Sequence, residues 1–246
     1  MKRANNRKKV SKETSDKEID TKPLLRELQR VKAAAGDPSF RWRRQNDAAE
    51  VLSTFIDELR KAFGGWTVIS TNPREHSCCE GCKQSSVADY EHPYLILEPK
   101  ERLHESLEEF MDKKSECRRC TKCKSTQVIS QRLLLHSAPK VLMIQLNRIL
   151  ADGSGRKNET VVDVSSQSLD LPTKRQGRLV VSQYTLKAVI CHHGDISNTG
   201  HYVTYAKQRN EWYRFSDLYV RLLTSDLIKD SMITKHAYMY VFERLE

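Results

Sequence analysis

The chain has 246 residues, of which 38% are hydrophobic and 30% are charged, a composition typical of a globular protein that buries a core. No apolar run approaches the ~18 residues of a membrane span, no apolar secretion signal begins the chain, and nine Gly and seven Pro exclude a collagen-like protein. Lys and Arg exceed Asp and Glu by ten, and six of these charges lie in residues 1–12, which contain no acid. We therefore expect an intracellular protein, cytoplasmic or nuclear, with a disordered basic tail over residues 1–22. A nuclear-import or polyanion-binding arm is the alternative.

The first half of the chain predicts helices. Apolar residues recur on one helical face over residues 22–35, and Gly36-Asp37-Pro38 would end that helix. A second helix is predicted over residues 47–63, where Asp47 and Glu50 have the spacing of a capping box. A third helix is predicted over residues 103–113.

Strands dominate the rest. Short strands and loops are expected over residues 66–100, and longer strands are predicted at 126–135, 141–150, 179–193, 201–207, 211–215 and 236–242. The strand at 141–150 is apolar on both faces, which is typical of a central strand. A short helix capped near Thr224 or Ser225 should precede the last strand. Helices followed by an antiparallel sheet predict an α+β fold.

Six of the seven cysteines form two clusters. Two Cys-x-x-Cys pairs, Cys79 with Cys82 and Cys120 with Cys123, are separated by 37 residues. In a reducing compartment, four such thiols are the ligands of a closed structural Zn²⁺ site rather than disulfides. Cys117 offers a competing register with Cys120, and Cys78 is spare.

One histidine lies in a setting suited to catalysis. His201 begins a predicted strand directly after the Gly-bearing segment 194–200, which would present the imidazole at the edge of a cleft. Ser216 or Asp217, at the end of the next strand, is placed to orient that ring as in a nucleophile–His–acid triad. The alternative is a partly buried packing histidine.

Five ordered motifs across residues 24–246 resemble the ubiquitin-specific proteases, the papain-like cysteine deubiquitinases. They are QNDAAEVL at 45–52, the two Cys-x-x-Cys pairs, APKVLMIQLNR at 138–148, GHY at 200–202 and WYRFSD at 212–217. The resemblance implies a papain-like α+β fold of the ubiquitin-specific protease type, with an antiparallel sheet and a truncated helical thumb. It places a thumb remnant at 23–65, zinc-bearing fingers at about 66–135 and a palm at about 136–246. Ubiquitin or ubiquitinated proteins are the implied partners.

The resemblance also implies roles for single residues. In the complete enzyme, which cleaves the isopeptide bond after the C-terminal Gly of ubiquitin, His201 would act as general base and then general acid. Ser216 stands where the family usually has Asp or Asn, as in a Cys-His-Ser branch that includes the mitochondrial outer-membrane member. HHGD at 192–195 also resembles that branch. Asp217 would assist with the oxyanion or the attacking water.

The chain departs from the family at the nucleophile. The family's Cys box precedes the thumb helices, whereas no cysteine occurs here before Cys78. Cys78 lies beside a zinc-ligand pair and Cys191 lies inside a strand, so neither has the helix N-terminal setting that lowers the pKa of a thiol. We therefore expect this chain alone to be inactive, as an incomplete product or a pseudoenzyme that still binds ubiquitin.

A zinc-stabilised nucleic-acid-binding module is the alternative function. It rests on the net charge of +10 and on the two cysteine pairs. Against it, the basic excess lies in the tail, and the pairs lack the interleaved basic and aromatic residues of a stacking platform. Neither nucleic acid nor a membrane is therefore the expected partner.

Overall fold

The computed structural model describes residues 21–34, 36, 46–63, 69, 73–90, 93–112, 114–164, 166–196, 199–223 and 231–245. The chain divides into two compact units, Met1–Arg44 and Gln45–Glu246. Most of the predicted basic tail and the predicted helix near Thr224 and Ser225 lie outside the described residues.

The described helices are α1 (Lys22–Ala34), α2 (Ala48–Phe63), α3 (Leu103–Met111) and α4 (Ser231–His236). The first three confirm the helices that the sequence predicts at 22–35, 47–63 and 103–113. None of the described helices combines the length and the apolar character that crossing a membrane requires.

The described strands form two sheets. Their bounds are β1 (Pro73–Cys79), β2 (Ser85–Asp89), β3 (Leu95–Leu97), β4 (Lys114–Arg119), β5 (Thr126–Leu135), β6 (Val141–Leu146), β7 (Ser168–Arg175), β8 (Arg178–Ile196), β9 (Thr199–Gln208), β10 (Glu211–Ser216), β11 (Tyr219–Leu222) and β12 (Ala237–Arg244). Within the described residues, the smaller sheet has the order β2-β1-β5-β4. The larger sheet has the order β11-β10-β9-β8-β12-β6-β3, with β7 paired to β8.

The main core belongs to the larger sheet. Leu142, Ile144 and Leu146 on β6 and Leu186 on β8 are fully buried, as the apolar pattern of a central strand predicts. All strand pairs in this sheet are antiparallel except β3 with β6. The α+β architecture predicted from the sequence is confirmed.

Some boundaries differ from the sequence-based ones. The strand predicted at 141–150 ends at Leu146, because the chain turns there and Arg148 is buried. The segment 194–200, predicted as a loop, is shorter than expected, since β8 extends to Ile196 and β9 begins at Thr199. The sequence does not predict β4, β7 or β11. Strands β4 and β11 are exposed along their whole length, and in β7 the alternation of Leu169 and Leu171 is followed by Pro172.

A buried arginine holds the segment after β6 in place. Arg148 is 4% exposed, and its guanidinium donates to the carbonyls of Ala237, Asn158, Thr160 and Thr234 at 2.5 to 3.2 Å. Burial lowers the pKa of this guanidinium. Its hydrogen bonds join the loop that follows β6 to the start of β12.

Candidate active site and metal centre

A β-hairpin brings His201 and Ser216 together. Strands β9 and β10 pair from Gln208 opposite Glu211 to Thr204 opposite Phe215, around a two-residue turn whose Arg209 has φ 56°. This left-handed conformation is the one that tight hairpin turns require. The pairing places the start of β9 beside the end of β10, and His201 Nε2 lies 2.9 Å from Ser216 Oγ.

This contact determines which ring nitrogen remains available. A hydrogen bond at Nε2 leaves Nδ1 of His201 as the nitrogen that can exchange a proton with a reacting group. The Ser216 hydroxyl is neutral, so it can orient the ring without the charge that a carboxylate would bring. The His201 side chain is 46% exposed and therefore accessible to a reactant.

Asp217 lies farther from the ring. Its Oδ2 is 3.9 Å from His201 Nε2, too long for a hydrogen bond but close enough to pair with a protonated imidazole. Asp217 and Leu218 form the two-residue turn between β10 and β11, across which Ser216 pairs with Tyr219, and Asp217 has φ 51°. Its side chain is 78% exposed, which leaves the carboxylate largely solvated.

A close backbone contact positions the residue before His201. A Cβ atom at Gly200 would lie 2.1 Å from the His193 carbonyl oxygen and 2.6 Å from His192 Nε2. Because such distances are prohibitive, only glycine allows β8 and β9 to approach this closely, with His193 opposite His201.

Lys157 supports the same region from the loop after β6. Its Nζ donates to the carbonyls of His192, at 2.8 Å, and Gly194, at 2.6 Å. Burial is the main cause of the lowered pKa of this ammonium. The sequence analysis missed Lys157, since a lysine in a polar loop carries no local signal for a contact 37 residues away.

His192 is a second histidine of this region, and it is buried. It is 5% exposed and stacks on Tyr202 with ring centroids 4.4 Å apart. Burial, with Lys157 adding to it, lowers the pKa of His192 to about 4. This ring is therefore neutral at physiological pH and serves packing rather than proton transfer.

Asp47 connects α2 to the larger sheet. Its Oδ1 accepts from the backbone N–H groups of Ala49 and Glu50 at 2.7 and 3.2 Å, so it caps the helix as predicted. Its Oδ2 accepts from the Tyr238 hydroxyl at 2.7 Å. Burial and Asp47 together raise the pKa of Tyr202 to about 12. The sequence predicts the cap but not the contact with Tyr238 on β12.

The two Cys-x-x-Cys pairs form matching turns. In each, the Lys after the second cysteine donates its N–H to the carbonyl of the first, Lys83 to Cys79 at 2.8 Å and Lys124 to Cys120 at 3.1 Å. Both lysines have left-handed φ values, 56° and 61°. Backbone N–H groups also point at sulfur, from Cys82 to Cys79 Sγ at 3.5 Å and from Lys122 to Cys120 Sγ at 3.4 Å.

The two turns bring four thiols together. The Sγ atoms of Cys79, Cys82, Cys120 and Cys123 all lie within 4.8 Å of one another, and those of Cys82 and Cys120 are 3.9 Å apart. Hydrogen bonds from the backbone of Cys123 and Lys122 lower the pKa of the Cys120 thiol to about 6. The cluster could hold one metal ion.

The other three cysteines lie outside this cluster of four thiols. Cys117 is exposed on β4, and Cys78 is half-buried on β1. Cys191 is paired in register with Val203, two residues along β9 from His201. It is fully buried, and its thiol donates to the Ile233 carbonyl at 3.6 Å. A buried thiol with this partner is not accessible to a macromolecular substrate.

Comparison with known proteins identifies the family. A family model described as ubiquitin carboxyl-terminal hydrolase matches residues 2–242. Ubiquitin carboxyl-terminal hydrolase 8 of Saccharomyces cerevisiae is 27% identical over 197 residues, which cover 72% of this chain and 40% of the yeast protein. Human ubiquitin carboxyl-terminal hydrolase 42 is 30% identical over 236 residues, which cover 83% of this chain and 17% of the human protein.

A solved structure shares the fold. The SAGA Ubp8/Sgf11/Sus1/Sgf73 DUB module bound to ubiquitin aldehyde matches with a TM-score of 0.70 and 22% identity, over 91% of this chain and 53% of that chain. These comparisons confirm the resemblance to ubiquitin-specific proteases and give no support to the nucleic-acid-binding alternative. This chain spans less than half the length of the yeast and human relatives. Because the family model matches nearly all of its residues, the chain belongs to the ubiquitin carboxyl-terminal hydrolase family.

Proposed function

We propose that this chain is a ubiquitin-binding domain of the deubiquitinase type, in which His201 and Ser216 form the base half of a thiol-hydrolase site. The observation that carries the proposal is the 2.9 Å contact between His201 Nε2 and Ser216 Oγ. It occurs in a chain whose fold matches a module bound to ubiquitin aldehyde. Fingers at about 66–135 and a palm at about 136–246 are the parts that would contact ubiquitin.

In a complete site, His201 Nδ1 would accept the proton of a cysteine thiol. The thiolate would attack the isopeptide carbonyl after the last Gly of ubiquitin. The C–N bond would then break, the departing amine would take the proton from the imidazolium, and water would hydrolyse the thioester. Ser216 would keep the ring in the productive tautomer, and Asp217 would assist with the oxyanion or the attacking water.

The nucleophile is the part that this chain does not supply from its seven cysteines. Four of them form the thiol cluster, Cys191 is fully buried, and Cys78 and Cys117 lie in the smaller sheet. We therefore infer that this chain alone binds ubiquitin without cleaving its conjugates.

The thiol cluster is proposed to hold a structural Zn²⁺. A tetrahedral zinc with Zn–S bonds of about 2.3 Å separates its sulfurs by about 3.8 Å, close to the 3.9 Å between Cys82 and Cys120. Four thiolates close the coordination sphere, so the metal would hold the two turns together and take no part in hydrolysis.

Competition between ubiquitin and nucleic acid tests the proposed function. The purified chain is applied to immobilised ubiquitin at roughly 50 and 300 mM salt, with single-stranded RNA as competitor. We expect retention on ubiquitin that survives the higher salt and is not displaced by RNA. A chain that is not retained on ubiquitin, but that is retained on immobilised RNA at the lower salt and released at the higher, would instead establish the nucleic-acid-binding function.

A further inference from the structure

A groove of about 600 Å³ lies between α3, the hairpin of β7 and β8, and the chain that leads into β7. It contains neither His201 nor Ser216, and none of the four clustered cysteines. Whatever binds here therefore acts at a different place from the proposed hydrolase site.

The groove offers apolar surface. Leu107 of α3 and Leu169 of β7 line it and are 2% and 4% exposed, so they form a packed floor. Val181 of β8 and Leu245 lie at its margin and are 53% and 51% exposed. Large apolar side chains exposed together beside a cavity are typical of an interaction site.

The charge of the groove is opposite to that of the chain. Glu108, Asp163 and Asp170 line it, and no Lys or Arg is among the described lining residues. The chain as a whole has a net charge of +10. Glu108 and Asp170 are exposed. Among the described residues neither forms an ion pair within 4.0 Å, and Arg102 acts on Glu108 only through a weaker electrostatic interaction. These two carboxylates are therefore available to cations of a ligand.

The edge of β7 favours side-chain contacts over strand addition. In the described part of the chain, β7 pairs only with β8. Pro172 lies in this strand and lines the groove, and proline within a strand is found where its missing N–H faces the unpaired edge. A ligand strand would meet an interrupted ladder at this position.

We propose that this groove binds a basic–apolar segment of a partner protein. Two or three apolar side chains of that segment lie on the floor formed by Leu107 and Leu169 and contact Val181 at the margin. Flanking Lys or Arg side chains pair with Glu108 and Asp170. The acidic rim and the apolar floor together match a partner segment that is both basic and apolar. Residues 1–12 of this chain match it less well, because they are basic but contain only Met1 and Val10 as large apolar residues.

Fluorescence anisotropy with three labelled peptides tests the proposal on the full chain. The first peptide, KRLAALLKRK, combines apolar and basic residues. The second, EELAALLEEE, keeps the apolar residues and reverses the charges. The third is MKRANNRKKVSK, the first twelve residues of the chain. We expect the first peptide to bind, with affinity that falls as salt is raised, and the other two to bind at least roughly tenfold more weakly.

Variants locate the binding. Glu108→Lys with Asp170→Lys should weaken the binding of the first peptide roughly tenfold. Val181→Gln should weaken the same binding because it removes an apolar contact at the margin of the groove. All three positions are exposed, so the variants should keep the fold. The control pair, Asp89→Lys with Glu116→Lys, reverses two exposed acids of the smaller sheet and should leave binding unchanged.

Three results would overturn the proposal. They are equal binding of the charge-reversed peptide, equal loss in the control pair, and tighter binding of the third peptide than of the first. The last would show that the groove receives the chain's own basic tail.

Discussion

At the scale of single residues, the region around His201 depends on two histidines with different roles. His201 is exposed and contacts Ser216, whereas His192 is buried against Tyr202. The neutral hydroxyl of Ser216 beside His201 determines which tautomer of that ring is favoured. Burial of His192 makes the free energy of unfolding depend on pH.

Replacing Ser216 tests its role as the orienting group. Ser216→Asp replaces the neutral hydroxyl beside His201 Nε2 by a carboxylate, which can only accept a hydrogen bond, and should increase the population of the tautomer that carries its proton at Nε2. Ser216→Ala removes the hydrogen bond and should increase the population of the other tautomer, seen in the ¹⁵N chemical shifts of the ring. Asp217→Asn is the control, with a smaller effect because its carboxylate is 3.9 Å away and exposed. An unchanged ring in both Ser216 variants would show that the contact has no effect.

The buried ring of His192 predicts a loss of stability in mild acid. Its pKa is about 4 in the folded chain and about 6.5 in an unfolded one, so below pH 6.5 the unfolded state binds the additional proton. The free energy of unfolding should therefore fall by about 2 kcal/mol between pH 6.5 and pH 5, measured by urea denaturation. Burial also lowers the pKa values of His193 and His236, which adds to the effect.

A variant assigns the loss to this ring. His192→Gln should reduce the pH dependence of the free energy of unfolding. His104→Gln, at an exposed position of α3, should leave that dependence unchanged. An equally steep loss in His192→Gln would refute the assignment.

At the scale of elements, side chains from distant parts of the chain attach α2 and the loop after β6 to the larger sheet. Asp47 joins the start of α2 to Tyr238 of β12, and Gln145 of β6 donates to the same hydroxyl at 2.7 Å. Arg148 and Lys157 hold the loop through backbone carbonyls. The contacts of Lys157 hold the end of β8, where His193 lies opposite His201 of β9.

Two substitutions at Asp47 separate its two contacts. Asp47→Ala removes the helix cap and the acceptor for Tyr238, and should lower the free energy of unfolding by about 2–3 kcal/mol. Asp47→Asn retains an oxygen for the cap and should cost less. Tyr238→Phe removes the second contact and also the hydrogen bond that Gln145 donates to this hydroxyl. Its effect together with Asp47→Ala should be smaller than the sum of the two single effects, because the Asp47–Tyr238 contact is lost in both. Chemical denaturation of the three single variants and of the double variant measures these free energies. Strictly additive effects in the double variant would exclude an energetic contribution from the Asp47–Tyr238 contact.

The elements also show what a sequence can predict here. The cysteine pairs and the His201 hairpin were predictable because their geometry depends on residues two to sixteen positions apart. The contacts of Lys157 with Gly194 and of Asp47 with Tyr238 join residues 37 and 191 positions apart. No local pattern predicts such contacts, because they follow from the order of strands in the sheet. The sequence does not predict strand β7 because Pro172 follows only two alternating leucines, Leu169 and Leu171, and proline within a run argues against a strand.

At the scale of the whole molecule, the two sheets differ in what stabilises them. The larger sheet has an extensive buried core. The described cluster of the smaller sheet consists of Cys79, Cys120 and Ile129, with Cys82 packed against it. Strands β2 and β4 are exposed along their whole length. A metal at the four thiols would supply the stability that such a small core lacks.

Removal of a metal bound at the four thiols should therefore unfold the smaller sheet and leave the larger sheet folded. We expect about one zinc per chain, and chelation should increase amide hydrogen exchange in β1 and β5 while β12 stays protected. Cys120→Ser should reproduce the effect of the chelator, and Cys117→Ser, at an exposed cysteine outside the cluster, should not. Full zinc content in Cys120→Ser would exclude the four-thiol site.

If His201 and Ser216 form the site that receives the end of ubiquitin, the C-terminus of bound ubiquitin must lie close to His201, and paramagnetic broadening measures that distance. Ubiquitin with a nitroxide label at its C-terminus is added to the chain, and the imidazole signals of its histidines are followed by NMR. We expect the His201 signal to be broadened most and the signal of His104 on α3 to be unaffected. Binding that leaves His201 unbroadened, or that broadens His104 equally, would contradict the assignment of His201 and Ser216 to the site that receives the end of ubiquitin.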